Sequence, residues 1–218
     1  MIKCKGLQLM LVGLMALGAL SFLGLAQEET PQFVIPENIP ELRPPIVVTT
    51  CGQSPGALMV KVVCDTLGLP CIEEDLLTAD KLEELCKGDN PPHVLFITTG
   101  TSLKGMGAAG VDIDYEVKRC LAVVEKAREL GLVLIVGQIE GPSRRVDEYD
   151  EKSIRAMTPL ADLLITREDV NEDGYFTKVA EENNIPQIFI KKSLDLQVLF
   201  PLIFKAVSYT HLTLPTKA

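Results

Sequence analysis

The sequence predicts an α/β fold: a three-layer, doubly wound, mainly parallel sheet of five or six strands, flavodoxin-like or Rossmann-like. Three observations predict it. Short β-branched runs alternate along the chain with helical stretches. Those runs carry few polar residues, as strands buried on both faces of a parallel sheet require. Gly68, Gly88 and Gly131 stand where the helical stretches stop, the position at which a left-handed residue commonly ends a helix.

Residues 46–50, IVVTT, form the first strand. Ser54-Pro55 then reads as an N-cap followed by proline at the first helical position, opening a helix that runs to Leu67. A weak second strand at 71–76 and a short helix at 79–86 follow, and residues 93–98 make the third strand. Beyond a glycine-rich loop, residues 115–130 form a helix with Val117, Leu121, Val124 and Leu130 on one face. The fourth strand takes 132–136, a helix 153–160, the fifth strand 162–166, a helix 175–183 and the sixth strand 187–190. Ser193 caps a last helix.

Lys3 and Lys5 precede an apolar run over 7–25 that ends in Gly24-Leu25-Ala26, a small-x-small cleavage pattern. Residues 1–26 therefore read as a secretory signal peptide, which places the mature chain in a periplasm or outside the cell. The same run is long enough to span a bilayer, so an uncleaved anchor is the alternative and the one route to a membrane. Residues 27–45 are acidic and carry Pro31, Pro36, Pro40, Pro44 and Pro45. That is the composition of an extended spacer outside the core, although Phe33-Val34-Ile35 is able to dock on the domain. Residues 46–206 form a single α/β domain. Residues 207–218 begin VSYTHLTLPT, which resembles the translation of a transposase adapter used in sequencing libraries. That tail, His211 included, carries no functional weight.

The chain has 21 basic and 30 acidic residues. Without Lys3, Lys5 and Lys217 the mature domain keeps 18 basic residues against the same 30, a net charge of −12. A surface that acidic repels phosphate backbones and anionic lipid, which argues against nucleic acid as a partner. Five cysteines follow the signal segment, Cys51, Cys64, Cys71, Cys86 and Cys120, with no CxxC pair and no metal-ligand spacing. An odd number leaves at least one thiol free or joined to another molecule. Export permits disulfides, but four of the five lie in or beside apolar segments, where cysteine packs as a small core residue. Mostly free thiols are the expectation; a disulfide framework would pair four and leave one.

In doubly wound sheets ligands bind beyond the carboxyl ends of the strands, where the winding reverses. There the first strand runs into Cys51-Gly52-Gln53-Ser54-Pro55-Gly56 and the third, LFITT, into Gly100-Thr101-Ser102-Leu103-Lys104-Gly105. In the order 2-1-3-4-5 these strands are neighbours, and their loops form the walls of one crevice. The helix after Ser54 turns its unsatisfied N–H groups toward it. Gly52, Gly100 and Gly105 let backbone approach a ligand, Gln53, Thr101, Ser102 and Glu140 add polar lining, and Lys104, Arg144 and Arg145 add countercharge. A small anionic or polar molecule suits such a crevice. The loops match neither GxxxxGK[ST] nor GxGxxG after a strand, so the cofactor stays unassigned, and turns with tight helix packing account for the same glycines.

Before the tail there is one histidine, His93, at the amino end of its strand and away from the crevice. A Ser-His-Asp or Cys-His hydrolase is hard to build without another, as is a histidine metal site. Cys51, just before a helix start, is the remaining nucleophile candidate, with a buried structural cysteine as the competing account. Asp112, Asp114, Glu140, Glu168 and Asp169 gather at the same edge and offer oxygen ligands to a hard cation, though solvated loop carboxylates are the commoner case. Asp169-Val170-Asn171-Glu172-Asp173-Gly174 matches the opening of a calcium loop, with Asp169, Asn171 and Asp173 as ligands, but the twelfth position, which needs an acid, is Ala180.

The stretches TTCGQSPGALMVKVVCDTLGL, TSLKGMGAAG, IEGPSRRVDEYD and DGYFTKVAEENNIP resemble a family of secreted bacterial proteins known as a domain of unknown function. The resemblance spans 46–204 and implies export and one domain, with no activity attached. Two function classes follow: a noncatalytic binding module for a small, anionic ligand, or an enzyme using the same crevice through Cys51 or a carboxylate-held metal. The missing histidine and the missing intact motif favour binding.

Overall fold

The computed structural model describes residues 32–204. Residues 1–26, read above as a signal peptide, the first residues of the proline-rich stretch and the tail from 207 with His211 lie outside the described residues. Six strands, β1 (Ile46–Cys51), β2 (Cys71–Glu73), β3 (Val94–Thr99), β4 (Val133–Gln138), β5 (Leu163–Arg167) and β6 (Gln187–Ile190), form one sheet in the order 2-1-3-4-5-6. Every pairing is parallel. This is the flavodoxin-like member of the two expected orders, and the winding reverses between β1 and β3.

Side chains alternate across the pleat, so each central strand feeds two cores. Ile46, Val48, Val94, Phe96 and Ile135 pack under α1 (Gly56–Leu67) and α7 (Leu196–Ile203). Val47, Cys51, Leu95, Ile97, Leu134 and Val136 pack on the other face. That face is covered by α2 (Ala79–Cys86), α4 (Ile113–Glu129), α5 (Glu148–Met157) and α6 (Tyr175–Asn183), which supply Leu82, Cys120, Val124, Met157 and Ala180. Three layers result. Gly137 is required where β4 passes Phe96: a Cβ there would meet the Phe96 ring at 2.7 Å.

Several local expectations need correction. The glycine-rich loop after β3 contains a helix, α3 (Leu103–Ala109), because Ser102 accepts a hydrogen bond from the Gly105 amide and Gly110 closes it in the left-handed conformation. The helix after β1 begins at Gly56 with Pro55 at its N-cap, and Ser54 does not cap it. The α4 helix begins at Ile113, capped by Asp112. Its inward face carries Glu116, Arg119, Cys120, Val123, Val124 and Ala127, whereas Leu121 and Leu130 are exposed. The helix expected at 153–160 starts earlier, at Glu148, where Asp147 accepts from the Tyr149 and Asp150 amides. Ser193 opens a short 3-10 turn ahead of α7, and its hydroxyl donates to the Ile139 carbonyl. The proline-rich stretch does not stay outside: Leu42 is in the core, bridged to Phe204, and Phe33, Ile35 and Ile39 pack against it.

Candidate functional site at the carboxyl edge of β1 and β3

The paired Thr-Thr endings of β1 and β3 divide by the same alternation. Thr49 turns toward α4, where its hydroxyl donates to the Asp75 carbonyl at 3.1 Å and accepts from Arg119. Thr50 turns toward α1, its hydroxyl 3.2 Å from that of Ser54, and it also accepts from the Ser54 amide. Thr98 lies beside the start of α1, and Thr99 donates to the Gly137 carbonyl on β4.

Beyond the strands the two loops touch directly. A Cβ on Gly52 would sit 2.6 Å from the Gly100 carbonyl oxygen, and one on Gly105 would sit 2.1 Å from that of Gln53. The Ser102 amide donates to the Gly52 carbonyl at 2.8 Å. Gly52 and Gly100 take φ of 126° and 103°, a region L side chains avoid. The close approach these glycines allow is thus of one loop to the other.

Internal carboxylates take the loop amides. Gly52 N and Gln53 Nε2 donate to Glu116 Oε2 at 2.9 and 3.0 Å. Thr101 donates through both its amide and its hydroxyl to Asp150 Oδ1, whose other oxygen accepts the Val146 amide. Glu140 lies at the start of α1, where a Cβ on Gly56 would meet its Oε1 at 2.7 Å. The positive helix end therefore already faces a carboxylate of the protein itself.

Arg119 completes this arrangement from α4. Its five N–H groups reach Glu116 Oε1 and Oε2, Thr49 Oγ1, Leu77 O and Thr50 O at 2.6 to 3.3 Å. Its side chain is 3% exposed and that of Glu116 0%. Burial opposes its charge, but its hydrogen bonds to Glu116 and nearby negative charge leave its pKa above the usual guanidinium value. Arg144 covers the opposite side: Nε reaches Glu140 Oε2 at 3.2 Å and a terminal nitrogen reaches the Thr101 carbonyl at 2.9 Å. Gln138 holds this loop by bonding the Gly141 amide and the Arg144 carbonyl.

Glu140 stands out from its neighbours. Its side chain is 3% exposed, and its Oε1 is buried without a hydrogen bond of regular geometry among the described residues, with the Ser54 hydroxyl and the Gly56 amide as its nearest donors. Burial pushes its carboxyl above the usual carboxylate range, against the opposing influence of the Ser54 hydroxyl, the Arg144 charge and the Gly56 amide.

The structure therefore gathers Gly52, Gln53, Ser54, Gly100, Thr101, Ser102, Gly105, Glu140 and Arg144 into one cluster, with Lys104 exposed in the first turn of α3. Arg145 does not join it. Its guanidinium bonds Glu151, the Val170 carbonyl and both oxygens of Asp173, and lies over Tyr175 and Phe176 at 5.4 and 5.1 Å from the ring centres. It floors a separate cavity of about 300 Å³ lined also by Pro142, Asp169 and Glu172. Cys51 is 0% exposed, with its side chain in the core under α4.

The residues of the calcium-like stretch are engaged elsewhere. Asp169 pairs with Arg167, Asn171 accepts the Phe176 amide, and Asp173 holds Arg145. Asp114 pairs with Lys152, and Asp112 caps α4. Among the described residues no group of three or more His, Cys, Asp or Glu side chains is placed to hold a metal ion. Sequence reasoning missed Glu116, Arg119 and Asp150. Glu116 and Arg119 sit three apart on a helix, the spacing of a facing ion pair, which was the available signal.

Fold and site together define a three-layer, flavodoxin-like α/β domain with a polar cluster at its topological switch point. The chain belongs to the family described as domain of unknown function (DUF6305), whose model matches residues 43–204. No curated protein matches it. Among solved structures it is similar to a GDSL-like lipase from Bacteroides thetaiotaomicron, at 16% identity over 65% of this chain with a TM-score of 0.31. The chain spans 65% of that protein's length. It is also similar to AlinE4, an SGNH-hydrolase family esterase, at 12% identity over 77% of this chain and 85% of that one, with a TM-score of 0.32. A third is the esterase EstA from Pseudoalteromonas sp., at 13% identity over 72% of this chain and 91% of that one, with a TM-score of 0.31. Likenesses this distant carry no functional argument.

Proposed function

We propose that this domain is a noncatalytic binding module that takes a small, polar, hydrogen-bond-donating ligand at the carboxyl edge of β1 and β3. The observation that carries the proposal is Glu140 Oε1, a buried carboxylate oxygen without a hydrogen bond of regular geometry. An unsatisfied buried acceptor costs on the order of 1–3 kcal/mol, more when charged, and a ligand hydroxyl or amine removes that cost. The half-buried Arg144, which lies over Glu140, is the side chain a ligand displaces.

Charge favours a donor over the anion expected from the sequence. Three buried carboxylates, Glu116, Glu140 and Asp150, stand against Arg119 and Arg144, and the loop amides an anion would use already bond those carboxylates. The domain as a whole is acidic. The proposal includes action outside the cytoplasm, supported by Lys3, Lys5 and the apolar run that follows them.

The test is a thermal-shift screen of polyols, primary amines, and phosphate and carboxylate anions on the parent and on Glu140→Gln. The proposal expects a polyol or amine to raise the melting temperature of the parent by binding the native state, with the variant folded and unresponsive. A response to anions alone, or an equal response from the variant, overturns it.

A further inference from the structure

The cysteines of the described residues are not scattered: four of the five lie in two pairs on opposite sides of the sheet. Cys51 ends β1 with its side chain in the core under α4, and Cys120 on α4 lies in the same core, its sulfur 3.7 Å from the carbonyl of Thr50, the residue before Cys51. On the other face Cys64 is on the inward side of α1. Cys71 opens β2 and packs against the same core. The turn between them is tight, with Gly68 left-handed and the Leu69 amide donating to the Cys64 carbonyl at 2.9 Å. Each pair shares one packed core, and within it one thiol raises the pKa of the other, Cys64 that of Cys71 and Cys51 that of Cys120; all five thiols are free in this structure. Cys86, at the end of α2, has burial as its only perturbing influence.

We propose that Cys51 with Cys120, and Cys64 with Cys71, are two disulfide pairs, leaving Cys86 as the single free thiol of the described residues. In each pair two S–H bonds break and one S–S bond forms. The two electrons reduce the disulfide of a low-molecular-weight or protein thiol carrier to two thiols, through a mixed disulfide, and both protons end on those two thiols. Access separates the two pairs. Cys71 is partly exposed, so its pair exchanges in the folded protein, whereas Cys51 and Cys120 are 0% exposed and oxidise only before the domain closes or when it opens. In both pairs the neighbouring thiol and burial raise a thiol pKa, which keeps exchange at these sites slow near neutrality.

The test is full-length reduced protein treated with oxidised glutathione, once folded and once during refolding from denaturant, then alkylated under denaturing, non-reducing conditions and mapped after cleavage at both aspartate and basic residues. The expected map protects Cys64 and Cys71 in both samples, protects Cys51 and Cys120 in the refolded sample alone, and labels Cys86 in both. Alkylation of all five in the refolded sample, or bridges joining other partners, overturns the proposal. A second measurement keeps each pair separable. Cys64→Ser/Cys71→Ser, oxidised during refolding, should lose melting temperature on reduction, because the remaining bridge closes the longer loop. No shift on reduction overturns the Cys51–Cys120 pair.

Discussion

Replacing Arg119 with Met keeps the apolar stem and removes the guanidinium from a site where every one of its N–H groups has an acceptor. Glu116 then stays buried with its Oε1 unpartnered and its Oε2 held only by Gly52 N and Gln53 Nε2. Breaking a buried ion pair from one side costs about 3–5 kcal/mol. A domain of this size shifts by roughly 2–4 °C per kcal/mol, so a fall in melting temperature of about 6–20 °C follows. Urea unfolding followed by circular dichroism should show a lower midpoint with the slope unchanged. The paired variant Arg119→Met/Glu116→Leu removes the orphaned charge and leaves chiefly the Gly52 amide without its acceptor, so it should be more stable than Arg119→Met alone. A loss under about 1 kcal/mol for the single variant, the range of an exposed pair, or a double variant no more stable than the single one, refutes this reasoning.

Glu140 gives a pH signature. Its folded carboxyl holds a proton above the ordinary value of 4.5, so the native state binds more protons than the unfolded chain between those two values. Its contribution to stability is therefore fully present below 4.5 and falls as pH rises through the folded value. Urea midpoints measured between about pH 4 and pH 7 should decline less with rising pH in Glu140→Gln than in the parent; parallel curves contradict the burial argument. Gly137→Ala brings a Cβ to 2.7 Å from the Phe96 ring, an overpacking that costs on the order of 1–3 kcal/mol, whereas Gly107→Ala, with open space at its Cβ and an exposed helical site, should stabilise or leave the midpoint unchanged. Arg145→Ala should destabilise α6 and its packing without altering ligand response, since Arg145 bonds Asp173 and covers Tyr175 and Phe176; a lost thermal shift would place the site in its cavity instead.

The alternation of apolar runs and helices is a strong signal because a parallel sheet buries both faces of its strands. It located six strands and the helices other than α3, with α6 and β6 matching their expected bounds. What it missed has identifiable causes. Apolar periodicity counts only apolar residues, so it chose Leu121 and Leu130 for the inward face of α4 and overlooked Glu116 and Arg119, whose charges are admissible inside because they satisfy one another. Ser54-Pro55 has the signature of a helix cap, but the neighbouring Thr50 hydroxyl pairs with Ser54 across the strand end. Glycines near strand ends read the same whether they admit a ligand or a second loop, and only the register of β1 on β3 distinguishes the two. Arg144 and Arg145 are adjacent in sequence, but the turn between them sends one over Glu140 and the other under α6.

The central claim is the place of the ligand, and amide NMR of the isotope-labelled protein titrated with the polyol or amine from the thermal-shift screen tests it most directly. The account predicts shift changes confined to Gly52 through Gly56, Thr98 through Ser102 and Glu140 through Arg144, lost in Glu140→Gln. Changes centred instead on Arg145, Asp169 and Asp173, or spread without a focus at the β1–β3 edge, would contradict it.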